Sequence, residues 1–201
     1  MSEVAPVDGR VARRDRNRDA VLDVVIELFT EGHLDPGPGD VARRVGLSSR
    51  SVYRYFEDRD SLLRAAIDRQ QERVLPLFLI HGIGQGDLDD RIEQFVTARV
   101  QLYEAIAATA RASRAHALVN PILQEQVGET RRLLGEQVGK QFAPELGALS
   151  AGQRRATFGA IDALCQLESL DHLRIHGRLS ITQTRALLDD ALHALLRGDR
   201  P

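Results

Sequence analysis

A chain of 201 residues that is 43% apolar and 28% charged is long enough for one large domain, or for a small one joined to a larger, with a real core. No apolar run approaches the ~18 residues of a membrane span, "MSEVAPVDG" has neither the basic start nor the apolar run of a secretion signal, and a single cysteine, Cys165, cannot form an internal disulfide. These features argue against a membrane partner and point to the cytoplasm, while a net charge of −2 does not by itself announce a polyanionic partner.

In chain order, residues 1–9 read as a disordered N-terminus. Residues 10–18 then carry Arg10, Arg13, Arg14, Arg16 and Arg18 against Asp15, and residues 41–56 carry Arg43, Arg44, Arg50 and Arg54 against no acid. The nearby acids Asp19, Asp23, Glu27 and Glu31 fall elsewhere, so one face of the first third can be positive although the total is near neutral. The plainer alternative is that arginine is this chain's default cation, since Lys140 is the one lysine among 27 basic residues.

From Ala20, apolar residues at Ala20, Val21, Val24, Val25, Leu28 and Phe29 draw one stripe along a helix that Gly32 closes. A Pro/Gly-rich connection leads to a short helix over roughly 38–45, with Val41, Ala42 and Val45 on one side, broken at Gly46. Ser48 is placed to cap a further helix running to about Tyr55, accepting from the free N–H of residue 50 or 51. Asp58 or Asp60 starts a longer helix carrying Leu62, Leu63, Ala66, Ile67 and Val74, which Pro76 is expected to kink or end.

A short helix, a tight glycine turn and a second short helix opened by serine make a helix-turn-helix. In the second helix Val52 and Phe56, four apart, face inward, and Ser49, Arg50, Ser51, Tyr53 and Arg54 point outward. Those outward residues suit a DNA groove: arginine can give two parallel hydrogen bonds to guanine O6 and N7, and serine lets the helix approach. Tyrosine hydroxyls reach phosphate oxygens, which sets register without reading sequence. Tyr53 and Tyr55 therefore read as backbone anchors and Phe56 as a core plug.

The stretch "DVARRVGLSSRSVYRYFEDRDSLL" resembles the DNA-binding signature of the TetR family of transcriptional regulators, with Val41, Ala42, Gly46, Leu47, Ser48, Val52, Tyr53, Phe56, Leu62 and Leu63 in place. The resemblance covers residues 16–70 closely and the remainder in architecture. It implies an all-α protein with a helix-turn-helix DNA-binding domain over 10–57 and a regulatory, ligand-binding and dimerisation domain over 58–201. It further implies that Tyr53, Tyr55, Arg59 and the helix start near Asp58 hold phosphates and that Ser49, Arg50, Ser51 and Arg54 face bases, with Ser48 also among the DNA-binding residues. The chain departs from the pattern at three places. Arginine replaces the usual lysine at Arg59 and keeps the charge. A long side chain replaces a small one at Arg50. Gly37, followed by Pro38 and Gly39, replaces the hydroxyl residue that caps the first helix of the motif, so that helix is expected to start weakly.

Beyond Pro76, "HGIGQGD" has no preceding strand and no following Lys-Ser/Thr pair, so it reads as a connection and not as a phosphate loop. Helical patterns follow over roughly 88–117, 121–141, 153–176 and 180–197, the first long enough to divide in two. The last two are apolar over a wide arc: Ile161 and Leu164 on one, Leu187, Leu188, Ala191, Leu192 and Leu195 on the other. Helices so broadly apolar are buried on more than one side, and a second copy of the pair forming a four-helix dimer interface is the economical completion, with a plain intramolecular core as the alternative.

No catalytic constellation is visible and no cofactor is implied. His172 and His176 share the spacing of two metal ligands without a third, so no metal site is expected. Cys165 sits among leucines as a core residue. Asp162, with Gln166 and Ser169 on its side of the helix, interrupts an apolar run, and Arg99 and Tyr103 do the same upstream; Arg99, Tyr103, Asp162 and Cys165 are candidates for a ligand pocket, a dimer-seam hydrogen bond being the other reading for Asp162. The expectation is a sequence-specific DNA-binding regulator, a homodimeric repressor on a double-stranded inverted-repeat operator, released by a small apolar or amphipathic effector. A helical enzyme or a protein-interaction module without specific DNA binding is the reading from another class.

Overall fold

The computed structural model describes residues 9–33 and 36–197, apart from the Arg10 side chain; most of the expected disordered N-terminus, residues 1–8, lies outside the described residues, while Gly9 already belongs to a helix. All regular structure among the described residues is helical: α1 (Gly9–Thr30), α2 (Pro38–Val45), α3 (Ser49–Tyr53), α4 (Arg59–Phe78), α5 (Leu88–Ala117), α6 (Pro121–Gln141), α7 (Ala143–Ala148), α8 (Ala151–Leu164), α9 (Leu167–Asp171) and α10 (Ile181–Arg197). None of these helices is long and apolar enough to cross a membrane. The chain forms two compact units, one ending at Arg73 and the other beginning at Val74. The division falls within α4, later than the boundary at 57/58 expected from the start of that helix.

The first unit is built on the apolar stripe of α1. Val21, Leu22, Val25, Leu28 and Phe29 are buried, together with Val41 and Ala42 of α2, Val52, Phe56, and Leu62, Leu63 and Ala66 of α4. Polar ties hold α4 to α1: Arg69 Nε donates to Asp23 Oδ1 at 2.6 Å and Arg69 Nη1 lies 3.2 Å from Asp19. The hydrogen bond from Arg69 holds the Asp23 carboxyl below its ordinary value, and Arg73 adds to the effect.

The second unit surrounds a core of Ile92, Phe95, Val96, Val100 and Leu102 from α5, Leu134 and Val138 from α6, Phe142, Ile161 from α8, and Leu188 and Leu192 from α10. Phe95 and Phe142 meet edge to face with centroids 5.3 Å apart. Both connections that begin this unit are capped: Asp87 Oδ1 accepts from Asp90 N at 2.9 Å, and Asn120 Oδ1 accepts from Ile122 N at 3.0 Å ahead of Pro121. In the glycine-rich connection Gly84 has φ +78°, and a Cβ there would stand 3.0 Å from the Lys140 carbonyl oxygen. Its N–H donates to Gln141 Oε1 at 2.9 Å, so close approach and handedness both call for glycine.

Several sequence expectations are corrected. α5 does not divide; it is one helix of 30 residues. The pattern over 153–176 divides instead, at Cys165 and Gln166, and ends in a π-helical turn over His172–His176. A six-residue helix, α7, forms where a connection was expected. Of the kink or end expected at Pro76, the end falls two residues later, at Phe78. α3 is shorter than expected, ending at Tyr53.

Candidate nucleic-acid interface

The turn before α3 follows from Gly46, whose φ of 72° lies in the left-handed region and lets the Gly46 and Leu47 N–H groups both close on the Ala42 carbonyl. Ser48 then caps α3, its hydroxyl accepting from Ser51 N at 3.2 Å and lying 2.9 Å from the Ser51 hydroxyl. Ser48 and Ser51 are therefore engaged with each other. Val52 is 1% and Phe56 6% exposed, the latter with the Arg18 guanidinium 5.3 Å from its ring centre. With that side fixed, Ser49, Arg50, Tyr53 and Arg54 are exposed, and Tyr53 presents 55% of its surface. An exposed ring on a helix this short adds nothing to the chain's own packing.

Tyr55 is half-buried. Its ring packs edge to face on Phe56 at 6.5 Å and lies 5.5 Å from the Arg54 guanidinium. A hydrogen bond from Arg54, with a lesser one from Asn17, pulls its hydroxyl below the ordinary value, so the phenol oxygen already sits in a positive environment. Arg59 is exposed at the first position of α4. Asp58 caps that helix reciprocally with Ser61: Ser61 N donates to Asp58 Oδ1 at 2.7 Å, and Asp58 N donates to the Ser61 hydroxyl at 3.1 Å. The Asp-x-x-Ser spacing carried that signal, and it settles the choice between Asp58 and Asp60. The bond from the Ser61 backbone N–H keeps the Asp58 carboxyl below its ordinary value.

Of the acids expected to fall away from the basic clusters, Glu31 does not. Arg44 pairs with Glu31, one bond measuring 3.0 Å, and Arg43 lies 3.5 Å from Asp40. Both pairs are exposed and screened, so Arg50 and Arg54, not Arg43 and Arg44, dominate the cationic character around α3. The weak start of α2 is also offset: Asp40 Oδ2 accepts from Gly37 N at 3.2 Å, and Pro38 stands at the first turn, where its missing N–H costs nothing.

In the second unit, Tyr103 is 4% exposed and donates to Asp171 Oδ1 at 2.8 Å; Asp171 also receives Arg111 at 2.8 Å and a bond from Arg114. Burial, with the bond to Asp171, pushes the Tyr103 hydroxyl up to about 12, so this side chain is satisfied within the chain. Burial likewise pushes the Cys165 thiol up to about 12, which keeps it neutral. Asp162 is half-buried, accepts from Gln166 Nε2 at 2.7 Å, and stands where a Cβ on Gly135 would come 3.2 Å from its Oδ1.

Arg99 differs from all of these. It is 2% exposed, its guanidinium lies 4.7 Å from the Phe95 ring centre, and Nη2 donates to the Leu134 carbonyl at 3.2 Å. Its Nε and Nη1 have no hydrogen-bond partner. Desolvation brings its pKa down to about 10, against smaller opposing effects of Cys165 and Asp162. Arg91, one turn from the start of the same helix, shows what a satisfied buried arginine looks like: its guanidinium pairs with Glu145, its Nη1 donates to the Gln141 carbonyl at 2.8 Å, and its Nε reaches the Asp87 carbonyl at 3.2 Å. A cleft of about 480 Å³ on this unit is lined by Gly139, Ala143, Leu146, Arg154, Arg155 and Phe158, and by none of Arg99, Tyr103, Asp162 and Cys165.

The apolar residues expected at a dimer interface separate into two sets. Ile161, Leu188 and Leu192 are fully buried within the chain and, as corrections to that expectation, belong to its own core, covered by α5 and by each other's helices. Leu164, Leu187, Ala191 and Leu195 are half-buried, the three leucines packed against the edge of the same core. The rings of His172 and His176 lie 5.6 Å apart, and among the described residues no three His, Cys, Asp or Glu side chains gather as a metal site would require.

No family model matches the chain. Among curated proteins it is similar to the HTH-type transcriptional regulator BetI of Escherichia coli strain E24377A, 29% identical over 188 residues, which is 90% of this chain and 94% of that protein. The BetI protein of Shigella flexneri serotype 5b matches equally. Among solved structures it matches a TetR-family transcriptional regulator from Streptomyces coelicolor with a TM-score of 0.67 at 17% identity, over 90% of this chain and 80% of that one. A second match is a TetR-family regulator from Rhodococcus sp., with a TM-score of 0.60 at 22% identity, over 90% and 99% of the two chains. The structural likeness shows the fold, and the relatives carry it along almost the full chain. In fold the chain is similar to TetR-family transcriptional regulators, and in sequence to BetI along almost its full length.

Proposed function

We propose that the protein is a homodimeric repressor that binds an inverted-repeat operator in double-stranded DNA through α3 and is released by a small apolar or amphipathic effector bound in the second unit. One observation carries the DNA-binding part: behind a left-handed glycine turn, a five-residue helix buries Val52 and leaves Arg50 and Tyr53 exposed, with Arg54 exposed directly after it. In this reading Ser49, Arg50 and Arg54 face bases, Tyr53, Tyr55 and Arg59 hold phosphates, and Ser48 and Ser51 keep the helix start rigid. Residues 10–57 then form the reading module, supported by the part of α4 that belongs to the first unit, and the second unit carries dimerisation and effector binding. A DNA partner places its work in the cytoplasm.

Dimerisation in this reading uses Leu164, Leu187, Ala191 and Leu195, half-buried apolar residues of α8 and α10. The test is binding of the purified protein to DNA from upstream of its own gene. Retention of a discrete complex against excess unrelated DNA is expected. Binding that unrelated DNA abolishes in proportion to its concentration would contradict sequence-specific recognition.

A further inference from the structure

Two arginines of α5 are buried, Arg91 at 4% and Arg99 at 2% exposure. The chain meets the needs of the first with a carboxylate and backbone carbonyls. For the second it supplies one carbonyl, from Leu134, and one aromatic face, from Phe95. The N–H groups of Nε and Nη1 find no acceptor, and no carboxylate among the described residues lies within ion-pair distance of the guanidinium. Asp162, whose charge is felt there, is engaged by Gln166 at 2.7 Å, and the neutral Cys165 thiol supplies no charge. A cation is kept in an apolar core only where something pairs with it, and no such partner for Arg99 stands among the described residues.

We propose that Arg99 anchors the acidic head of the effector, and that the effector is a monocarboxylate carried on an apolar body, taken up between α5, α6 and α8. This rests on the effector reading above and sharpens it to a chemical class. A carboxylate has acceptors only, as the orphaned N–H groups require, and matches guanidinium geometry. One negative charge neutralises one guanidinium, whereas a doubly charged phosphate beside Asp162 would leave an excess. The apolar body is set by the surroundings, Phe95, Leu134 and Ile161 among them. Because Arg99 is enclosed, a ligand that reaches it must part the helices around it, so the liganded and free states differ in packing. That difference is what allows a ligand to bias a second equilibrium such as DNA binding.

The experiment uses the full chain, a panel of straight-chain and aryl monocarboxylates, and their matched primary amides, with binding followed by calorimetry and operator release followed by fluorescence anisotropy. Acids are expected to bind more tightly as the apolar body grows, and each matched amide to bind at least tenfold more weakly. Arg99→Gln and Arg99→Met should both erase the acid-to-amide difference while retaining operator binding. Arg99→Met should also melt at a higher temperature than the wild type, because it removes an uncompensated buried charge; an arginine kept only for structure would give a lower one. Equal binding of acids and amides, an unchanged preference in the variants, or no acid binding while a neutral compound releases the operator would overturn the anchor and leave the effector reading standing. If no compound of either kind binds and none releases DNA, both fail.

Discussion

In the first unit the polar side chains that define the candidate site stand outside: Arg50 and Tyr53 are exposed on a helix of five residues and Arg54 directly after it. In the second unit the corresponding side chains lie inside, with Arg91, Arg99, His116, Gln141, Thr157 and Thr184 all buried. The contrast separates two kinds of polar residue. An exposed side chain can be replaced with little effect on the fold, so a defect in its variant reports on whatever the protein binds. A buried one is part of the stability balance, and its replacement is felt in the fold first.

The contrast is broken hardest at Leu192, which is fully buried in α10. Leu192→Asp places an unpaired carboxylate in the core and should destabilise the second unit by roughly 4–5 kcal/mol or more, seen as loss of its cooperative transition in circular dichroism. Leu187→Asp, on the half-buried side of the same helix, should cost less stability than Leu192→Asp and shift sedimentation from dimer to monomer. A stable dimer of the Leu187 variant would place the interface elsewhere.

Within the first unit the sharpest pair is Phe56 and Tyr53, 6% and 55% exposed. Phe56→Ala should cost about 3–5 kcal/mol of stability, whereas Tyr53→Phe should stay within about 0.5 kcal/mol of the wild type and weaken binding to all DNA about equally. Chemical denaturation and DNA titration of both variants separate the two roles. Arg50→Ala should leave stability unchanged, cost ~1–3 kcal/mol of operator affinity and relax the preference at one position of each half-site; an unchanged preference across operator variants would remove Arg50 from base reading.

The smallest effect concerns pH. His193 of α10 lies 3.0 Å from Asp89 at the start of α5 and 3.2 Å from Asp189. Burial opposes the charged ring, but the bonds to Asp89 and Asp189 outweigh it and raise the imidazole above its ordinary 6.5. A raised folded-state value means that the ion pair stabilises the protein fully below 6.5 and is lost as pH rises through the raised value. With the ring partly exposed, the difference should be below about 1 kcal/mol. Thermal melts between about pH 6 and 8 should fall with pH in the wild type and less in His193→Gln; identical slopes would show that the pair contributes nothing.

The reading module was legible in the sequence because its signals are local. Gly46 announces the left-handed turn, Ser48 the cap, and the four-residue spacing of Val52 and Phe56 the buried side. The body was legible in its helices but not in its breaks. The interruption after Leu164 has no glycine or proline to mark it; across it the Ser169 hydroxyl donates to the Ala163 carbonyl at 2.6 Å. The broad apolar arcs of α8 and α10 correctly signalled burial on several sides. They could not say whose residues cover each side, which is why Ile161, Leu188 and Leu192 were read as interface and proved to be core. Arg99 and Arg91 look alike in sequence, and only the partners that folding brings to each distinguish them.

The most direct test of the account is a hydroxyl-radical and guanine-methylation footprint on the protein's own upstream DNA. Two protected patches related by an inverted repeat are expected, their centres about one helical turn, ~34–36 Å, or more apart, with a guanine N7 in each that is protected by the wild type and not by Arg50→Ala. A single patch, protection without a repeat, or guanine protection that survives the loss of Arg50 would contradict a two-copy regulator that reads DNA through the exposed face of α3.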